Sequence, residues 1–141
     1  MTNREKMQYM LGQFTNPDQK AGLQNILGMM SDDVVWTTQG PADIIPYAGV
    51  HKGKQGVMQM FMTQAQVLKP AKFEAQPLIV GADNEATQVF YMAMESVTLT
   101  APPNNTYSTA FCMIFTFDET GLVSSVYSLF DTYAVAKAFK P

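Results

Sequence analysis

Moving a proton to or from carbon calls for a positioned acid or base, most often an imidazole or a carboxylate. The chain has three carboxylates placed to attempt this. Asp131 follows the strand-like run ending at Phe130. It also directly precedes Thr132-Tyr133-Ala134-Val135, where an aspartate caps a helix. If Val126, Ser128 and Phe130 face inward, alternation turns Asp131 outward. Asp43 lies in the loop before Ile44-Ile45-Pro46-Tyr47, either swinging over a pocket mouth or simply solvated. Glu95 sits mid-strand among Tyr91, Met92, Met94 and Val97, where an unpaired charge is expensive. With Phe90, Met92 and Met94 assigned to the inner face, Glu95 falls on the opposite face, as an interface residue.

Other chemistries find little support. His51 and Cys112 are the only histidine and cysteine, and they lie far apart, so no zinc site is expected. Cys112 reads as a small buried hydrophobe within an apolar strand, and His51 as an exposed residue of the Gly49-Val50-His51-Lys52-Gly53 turn. Gly53-Lys54 is followed by Gln55 rather than Ser or Thr, so no phosphate loop forms there. No Gly-x-Ser-x-Gly elbow occurs.

These residues must be positioned by a chain of 141 residues, 47% apolar and only 15% charged. A typical charged share is about 25%, so more of this chain than usual should be buried or covered by a partner. The net charge of −3, without like-charge runs, argues against nucleic-acid binding, which needs a basic face. No signal-like h-region is present and no apolar run approaches a membrane span, so a cytoplasmic protein without membrane or nucleic-acid partners is expected. Eleven methionines beside nine phenylalanines suggest a core that shapes itself around something.

Apolar spacing predicts helices over Asn3–Phe14, from Pro17 to Met30 with Asn16 as cap and Ser31-Asp32-Asp33 as its end, and over Gly53–Leu68. Val34–Thr38 reads as a strand and Gln39–Gly49 as a loop. Four long antiparallel strands follow, roughly Lys72–Val80, Ala86–Leu99, Tyr107–Phe117 and Leu122–Phe130, then a short helix from Thr132 to Phe139. Their turns are Gly81–Asn84, Pro102–Asn105 and Asp118–Gly121. This order is segregated α+β in one domain, residues 1–141. The long strands are apolar on both faces. Helices can cover only one, so a two-fold homodimer is expected to cover the other.

Asp32-Asp33-Val34-Val35-Trp36, Pro46-Tyr47-Ala48-Gly49, Gly53-Lys54-Gln55-Gly56-Val57 and Phe61 resemble the front half of SnoaL-like proteins. Val126–Phe130, Asp131-Thr132 and Ala134–Phe139 resemble their C-terminal end. These proteins belong to the nuclear-transport-factor-2-like superfamily, with ketosteroid isomerase, scytalone dehydratase and limonene epoxide hydrolase. The resemblance implies a cone-shaped (cystatin-like) α+β fold, its curved, mostly antiparallel sheet wrapped around three helices and a pocket between them. Such a fold hosts many activities and settles none.

The ketosteroid isomerase residues do not carry over. Its base position falls on Thr38, its tyrosine on Phe14, its protonated aspartic acid on Met113 and a supporting tyrosine on Met62, all inert in those roles. The Asp-Arg-Asp set of limonene epoxide hydrolase fails because Arg4 is the only arginine. The scytalone dehydratase histidines have only His51 to match them. The resemblance to SnoaL-type cyclases leaves Asp131 as the candidate base.

What remains is an expected lining. Phe14, Trp36, Thr38 and Tyr47 should point inward, as should Met58, Phe61 and Met62 from the third helix. The strands add Phe90, Met92 and Met94, then Phe111, Met113 and Phe115, then Val126, Ser128 and Phe130. Such a lining suits a small, mostly apolar molecule, with Trp36, Tyr47 and Phe61 as walls, Thr38 and Ser128 orienting it, and Thr109 as a further polar group. No cofactor or metal is implied. A cofactor-free isomerase, cyclase or lyase, with Asp131 or Asp43 as base and Tyr47 bonding the oxyanion, is the alternative. A dimeric interaction module with a vestigial pocket is a second.

Overall fold

The computed structural model describes residues 1–73, 78–80 and 87–141. The expected turn Gly81–Asn84 and the middle of the expected strand Lys72–Val80 lie outside them.

Helix α1 spans Asn3–Gln13 and begins with a capping box. The Thr2 hydroxyl accepts from Glu5 N at 3.0 Å, and Glu5 accepts from Thr2 N at 2.8 Å. Its inward residues Met7 and Met10 are fully buried. Helix α2 spans Gln19–Gly28, and its cap is Asp18, not Asn16. The Asn16 side chain instead accepts from Asp18 N at 2.9 Å, forming a turn that delays the helix by two residues. Strand β1 then covers Met30–Thr38. Ser31, Asp32 and Asp33 therefore lie in the strand, with a register shift between Met30 and Val35.

The segment expected as a turn at 49–53 is strand β2, Gly49–Lys52, paired antiparallel with β1. Helix α3 is Gly53–Val67. Short strands β3 (Lys72–Phe73) and β4 (Leu78–Val80) both pair with β5, Gln88–Thr98. Strands β6 (Thr106–Phe117) and β7 (Val123–Phe130) follow, then helix α4 (Thr132–Phe139). The sheet order is β2-β1-β7-β6-β5-β3, with β4 also on β5. All pairs are antiparallel except β1 with β7. The expected α+β class is what the structure shows, with an open, curved sheet folded over its helices.

Register decides which side chains face the helices. Val89 lies opposite Phe115, Tyr91 opposite Met113, Ala93 opposite Phe111, Glu95 opposite Thr109 and Val97 opposite Tyr107. Directly opposed residues share a face, so the odd-numbered positions of β5 and β6 form the inner face together. On that face Trp36 packs edge-on against Phe61 at 5.1 Å and Phe115 at 6.1 Å, and Phe14 meets Phe61 at 5.7 Å. This aromatic group, with Met7, Met10, Met30 and Met60, is the core between sheet and helices.

The outer face carries two apolar rows, Phe90–Ile114–Tyr127 and Met92–Cys112–Leu129. Met92 is 46% exposed, Met94 39% and Tyr127 40%.

Candidate functional site

The loop after β1 is tied down at both ends. Gln39 N donates to Ser128 O at 3.0 Å, and Ile44 and Ile45 N both donate to Pro41 O. Gly40 is strained for any other residue: its φ is +127°, and an added Cβ would meet Ile45 Cδ1 at 2.8 Å. With Ile45 buried as an anchor, Tyr47 is carried inward until it is 3% exposed. His51 holds the Tyr47 carbonyl at 2.8 Å.

Tyr47 there meets Tyr107 of β6. Their hydroxyl oxygens lie 3.4 Å apart, and both rings are buried. Strand β5 adds Tyr91 and Glu95 on the same inner face, with Glu95 directly opposite Thr109. Glu95 is half-buried, whereas Tyr47, Tyr91, Tyr107 and Thr109 are all buried. Aromatic rings back the group, Phe111 at 5.5 Å from Tyr91 and Phe139 of α4 at 6.0 Å from Tyr47. A groove of about 700 Å³ between residues 104–108 and α4 has Tyr107 in its wall.

Burial pushes the Glu95 carboxyl up to about 7. Tyr47 is raised to about 12, mainly by burial and further by the Glu95 charge, with the Tyr107 hydrogen bond pulling the other way. Tyr107 is raised further still, by burial first and then by Tyr47 and Glu95. Tyr91 is raised by burial and by Glu95. Burial, with Glu95 adding to it, thus raises all three tyrosines above their ordinary range.

The expected placement of Glu95 is therefore reversed. Phe90, Met92 and Met94 stand on the outer face, and Glu95 stands inside. Their bulk suggested an inward row, but parity with β6 turns Val89, Tyr91, Ala93 and Val97 inward instead. The detectable signal was that Tyr91, Glu95, Tyr107 and Thr109 share one parity across the Pro102–Asn105 turn.

Asp131 caps α4, its carboxylate accepting from Ala134 N at 3.1 Å, and is exposed. Its own N–H donates to Thr109 Oγ1 at 3.0 Å. Asp43 is exposed in its loop. Neither joins the tyrosine group.

Trp36, Thr38, Phe111, Phe115, Val126 and Ser128 are buried, and Phe14, Phe61, Met113 and Phe130 pack partly buried against the core. Trp36 is enclosed by its aromatic neighbours, and the Thr38 hydroxyl is spent on the Met60 sulfur at 3.4 Å. The inward stripe of α3 is offset from the expected one. Val57 and Met60 are buried, Met58 is half-buried and Met62 is 49% exposed. Cys112 is half-buried on the outer face, not buried, and burial raises its thiol, which does not favour a nucleophilic thiolate. Among the described residues, no helix is long and apolar enough to cross a membrane.

No protein-family model matches the chain, and no curated protein matches its sequence. Its fold is shared with solved structures. An NTF2-like protein from Burkholderia xenovorans LB400 superposes with a TM-score of 0.80 at 19% identity, covering 99% of each chain. TerC, co-crystallised with polyporic acid, has a TM-score of 0.70 at 17% identity, covering 96% of this chain and 98% of its own. A phenazine biosynthesis-related protein from Pseudomonas aeruginosa gives 0.72 at 11%, covering 97% and 82%. The chain has the NTF2-like fold, in agreement with the superfamily resemblance of its sequence.

Proposed function

We propose that this protein binds a small, mostly apolar molecule on the inner face of its sheet, with the polar group of that molecule held by Glu95, Tyr47 and Tyr107. The observation that carries this is the 3.4 Å pair of buried tyrosine hydroxyls on a mostly apolar face that also carries the half-buried Glu95. A few convergent polar groups among aromatic walls are the usual make-up of a small-molecule site. Co-crystallisation of TerC, which has the same fold, with polyporic acid supports a small organic ligand. The walls are then Tyr47, Tyr91 and Phe111 rather than Trp36, and the orienting groups are the tyrosines rather than Thr38 and Ser128. Ligand-observed NMR with a library of apolar fragments tests this. Hits that bind wild type and weaken at least about tenfold in Glu95→Gln and Tyr107→Phe support the site. A library whose hits bind all three alike places binding elsewhere.

A second reading adds turnover, with the same groups serving a cofactor-free isomerase, cyclase or lyase. The observation favouring it is the Glu95 carboxyl at about 7, matched to proton exchange at neutral pH. Glu95 would take a carbon-bound proton, and Tyr47 or Tyr107 would hydrogen-bond the oxyanion that forms. Deuterium uptake by 2-tetralone in D₂O, followed by NMR, checks this. A protein-dependent rate that disappears in Glu95→Gln supports it, and a rate equal to buffer removes it for this class of carbon acid.

The outer face supports a separate proposal, a two-fold homodimer formed across the Met92–Cys112–Leu129 and Phe90–Ile114–Tyr127 rows. Exposed methionines and an aromatic on a regular sheet face make a self-complementary apolar surface. The single thiol suits a reducing compartment such as the cytoplasm.

A further inference from the structure

Strand β6 is longer than the neighbour that covers it. It pairs with β5 from Thr106 onward, but its pairing with β7 begins only at Phe111. Parity fixes where the uncovered backbone points. Leu99 N donates to Asn105 O at 2.8 Å, and Phe117 N to Thr87 O at 2.7 Å. The odd-numbered residues of β6 therefore bond β5, and the even-numbered ones direct N–H and C=O to the opposite side. The register that joins Cys112 to Leu129 would set Ser108 against Tyr133 and Thr106 against Val135. The chain has already turned into α4 at Thr132. Among the described residues, no partner meets the backbone of Thr106 or Ser108 on that side.

Helix α4 runs alongside this edge without closing it. At one end Asp131 N–H donates to Thr109 Oγ1 at 3.0 Å. At the other, Asn105 Nδ2 donates to Ala138 O, also at 3.0 Å. Between these ties lies the groove of about 700 Å³. Thr106 and Ser108 are exposed on its β6 side, Tyr133 and Lys137 on its α4 side. Lys137 is the only charged side chain of the lining. Among the described residues it makes no ion pair.

A free strand edge offers alternate N–H and C=O pairs, which an extended backbone matches. A strand continuing the line of β7 runs antiparallel to β6, entering beside Ala110 and leaving beside Asn105. The last turn of α4, with Lys137, stands at that exit. The C-terminal end of such a strand therefore arrives where the cation is.

We propose that this groove binds the C-terminus of an extended peptide, which adds to β6 as an antiparallel strand along Ser108 and Thr106 with its terminal carboxylate at Lys137. About five residues, roughly 17 Å of strand, fill the edge. The peptide is held by the backbone of β6 and draws nothing from Glu95.

The test begins with amide exchange in the free protein. Thr106 and Ser108 should exchange at least about tenfold faster than Tyr107 and Thr109, which bond β5. Equal protection at all four overturns the open edge, and protection that grows with protein concentration gives it to a second copy instead. The probes are acetylated pentapeptides alternating Val, Ile or Tyr with Thr or Ser, each as free acid and as amide. Binding is read by fluorescence anisotropy and by the amide signals of Thr106 and Ser108. The acid should bind about threefold tighter than the amide, as an exposed ion pair allows, and the difference should fade in high salt. In Lys137→Gln the two forms should bind alike. N-methylation of the peptide should abolish binding at the residues opposite Thr106 and Ser108, but not at the residue between them. A preference for the acid that persists in Lys137→Gln overturns the place of the carboxylate. Binding indifferent to the position of the methyl group overturns the added strand. A set in which no peptide moves the Thr106 and Ser108 amides overturns the proposal and leaves the small-molecule reading untouched.

Discussion

Tyr47 and Tyr107 bring their hydroxyl oxygens to 3.4 Å although 60 residues separate them in sequence. One comes from an irregular loop and the other from the first residues of a long strand. Each hydroxyl is buried, and each would be left short of a partner without the other, so the contact is worth more to lose than to make. Tyr47→Phe or Tyr107→Phe should each cost about 1 kcal/mol of unfolding free energy, and the double variant clearly less than the sum. Urea unfolding of the four proteins of this cycle measures the coupling, and strictly additive costs would mean the hydroxyls do not interact.

Glu95 should make stability depend on pH in an unusual direction for an acid. Its folded-state carboxyl is raised from 4.5 to about 7, so between those values the folded protein holds a proton that the unfolded chain has lost. Stability is then fully present below pH 4.5 and falls as pH rises through 7. For a half-buried group the loss is on the order of 2 kcal/mol, after discounting for solvent screening. Glu95→Gln should flatten this slope and leave the variant more stable than wild type at pH 8, as read by urea midpoints at pH 5 and pH 8. A wild type as stable at pH 8 as at pH 5, with a variant that tracks it, would contradict the burial of this carboxyl.

Asp131 should behave as a cap. Asp131→Ala should lose about 1 kcal/mol, and Asp131→Asn should stay within a few tenths of wild type. Any deuterium exchange into 2-tetralone should survive in Asp131→Asn. Loss of that exchange with stability intact would restore Asp131 as the base.

The outer sheet face should hold two copies together. Replacing Met92 by Glu places a charge opposite Cys112 in the middle of the apolar rows. The dimer dissociation constant should rise at least about tenfold while the circular dichroism spectrum is kept. Light scattering over a dilution series reports this, and a wild type that is monomeric at every concentration would refute the dimer.

Helices and long strands were legible in the sequence because their apolar period is strong. Asn3, Gly53 and Thr132 begin helices as expected, and Thr132–Phe139 is helical over its whole expected length. The shorter pieces were not. Strand β2 is only four residues long and none of them is buried, so what makes it a strand is its pairing with β1. The second helix cap was misplaced because Asn16 and Asp18 both fit the position, and only the Asx turn decides between them. Glu95 is the residue whose face the sequence pattern does not give. Each long strand has two apolar faces, so hydrophobicity alone does not choose between Met92 and Tyr91 as the inward residue. The choice is made by pairing with β6, which places Glu95 opposite Thr109.

Titration of the Glu95 side-chain carboxyl by carbon-13 NMR, assigned with Glu95→Gln, tests the central claim most directly. A midpoint near 7 is the predicted result. A midpoint in the ordinary carboxylate range would contradict the burial of this carboxyl on the inner face.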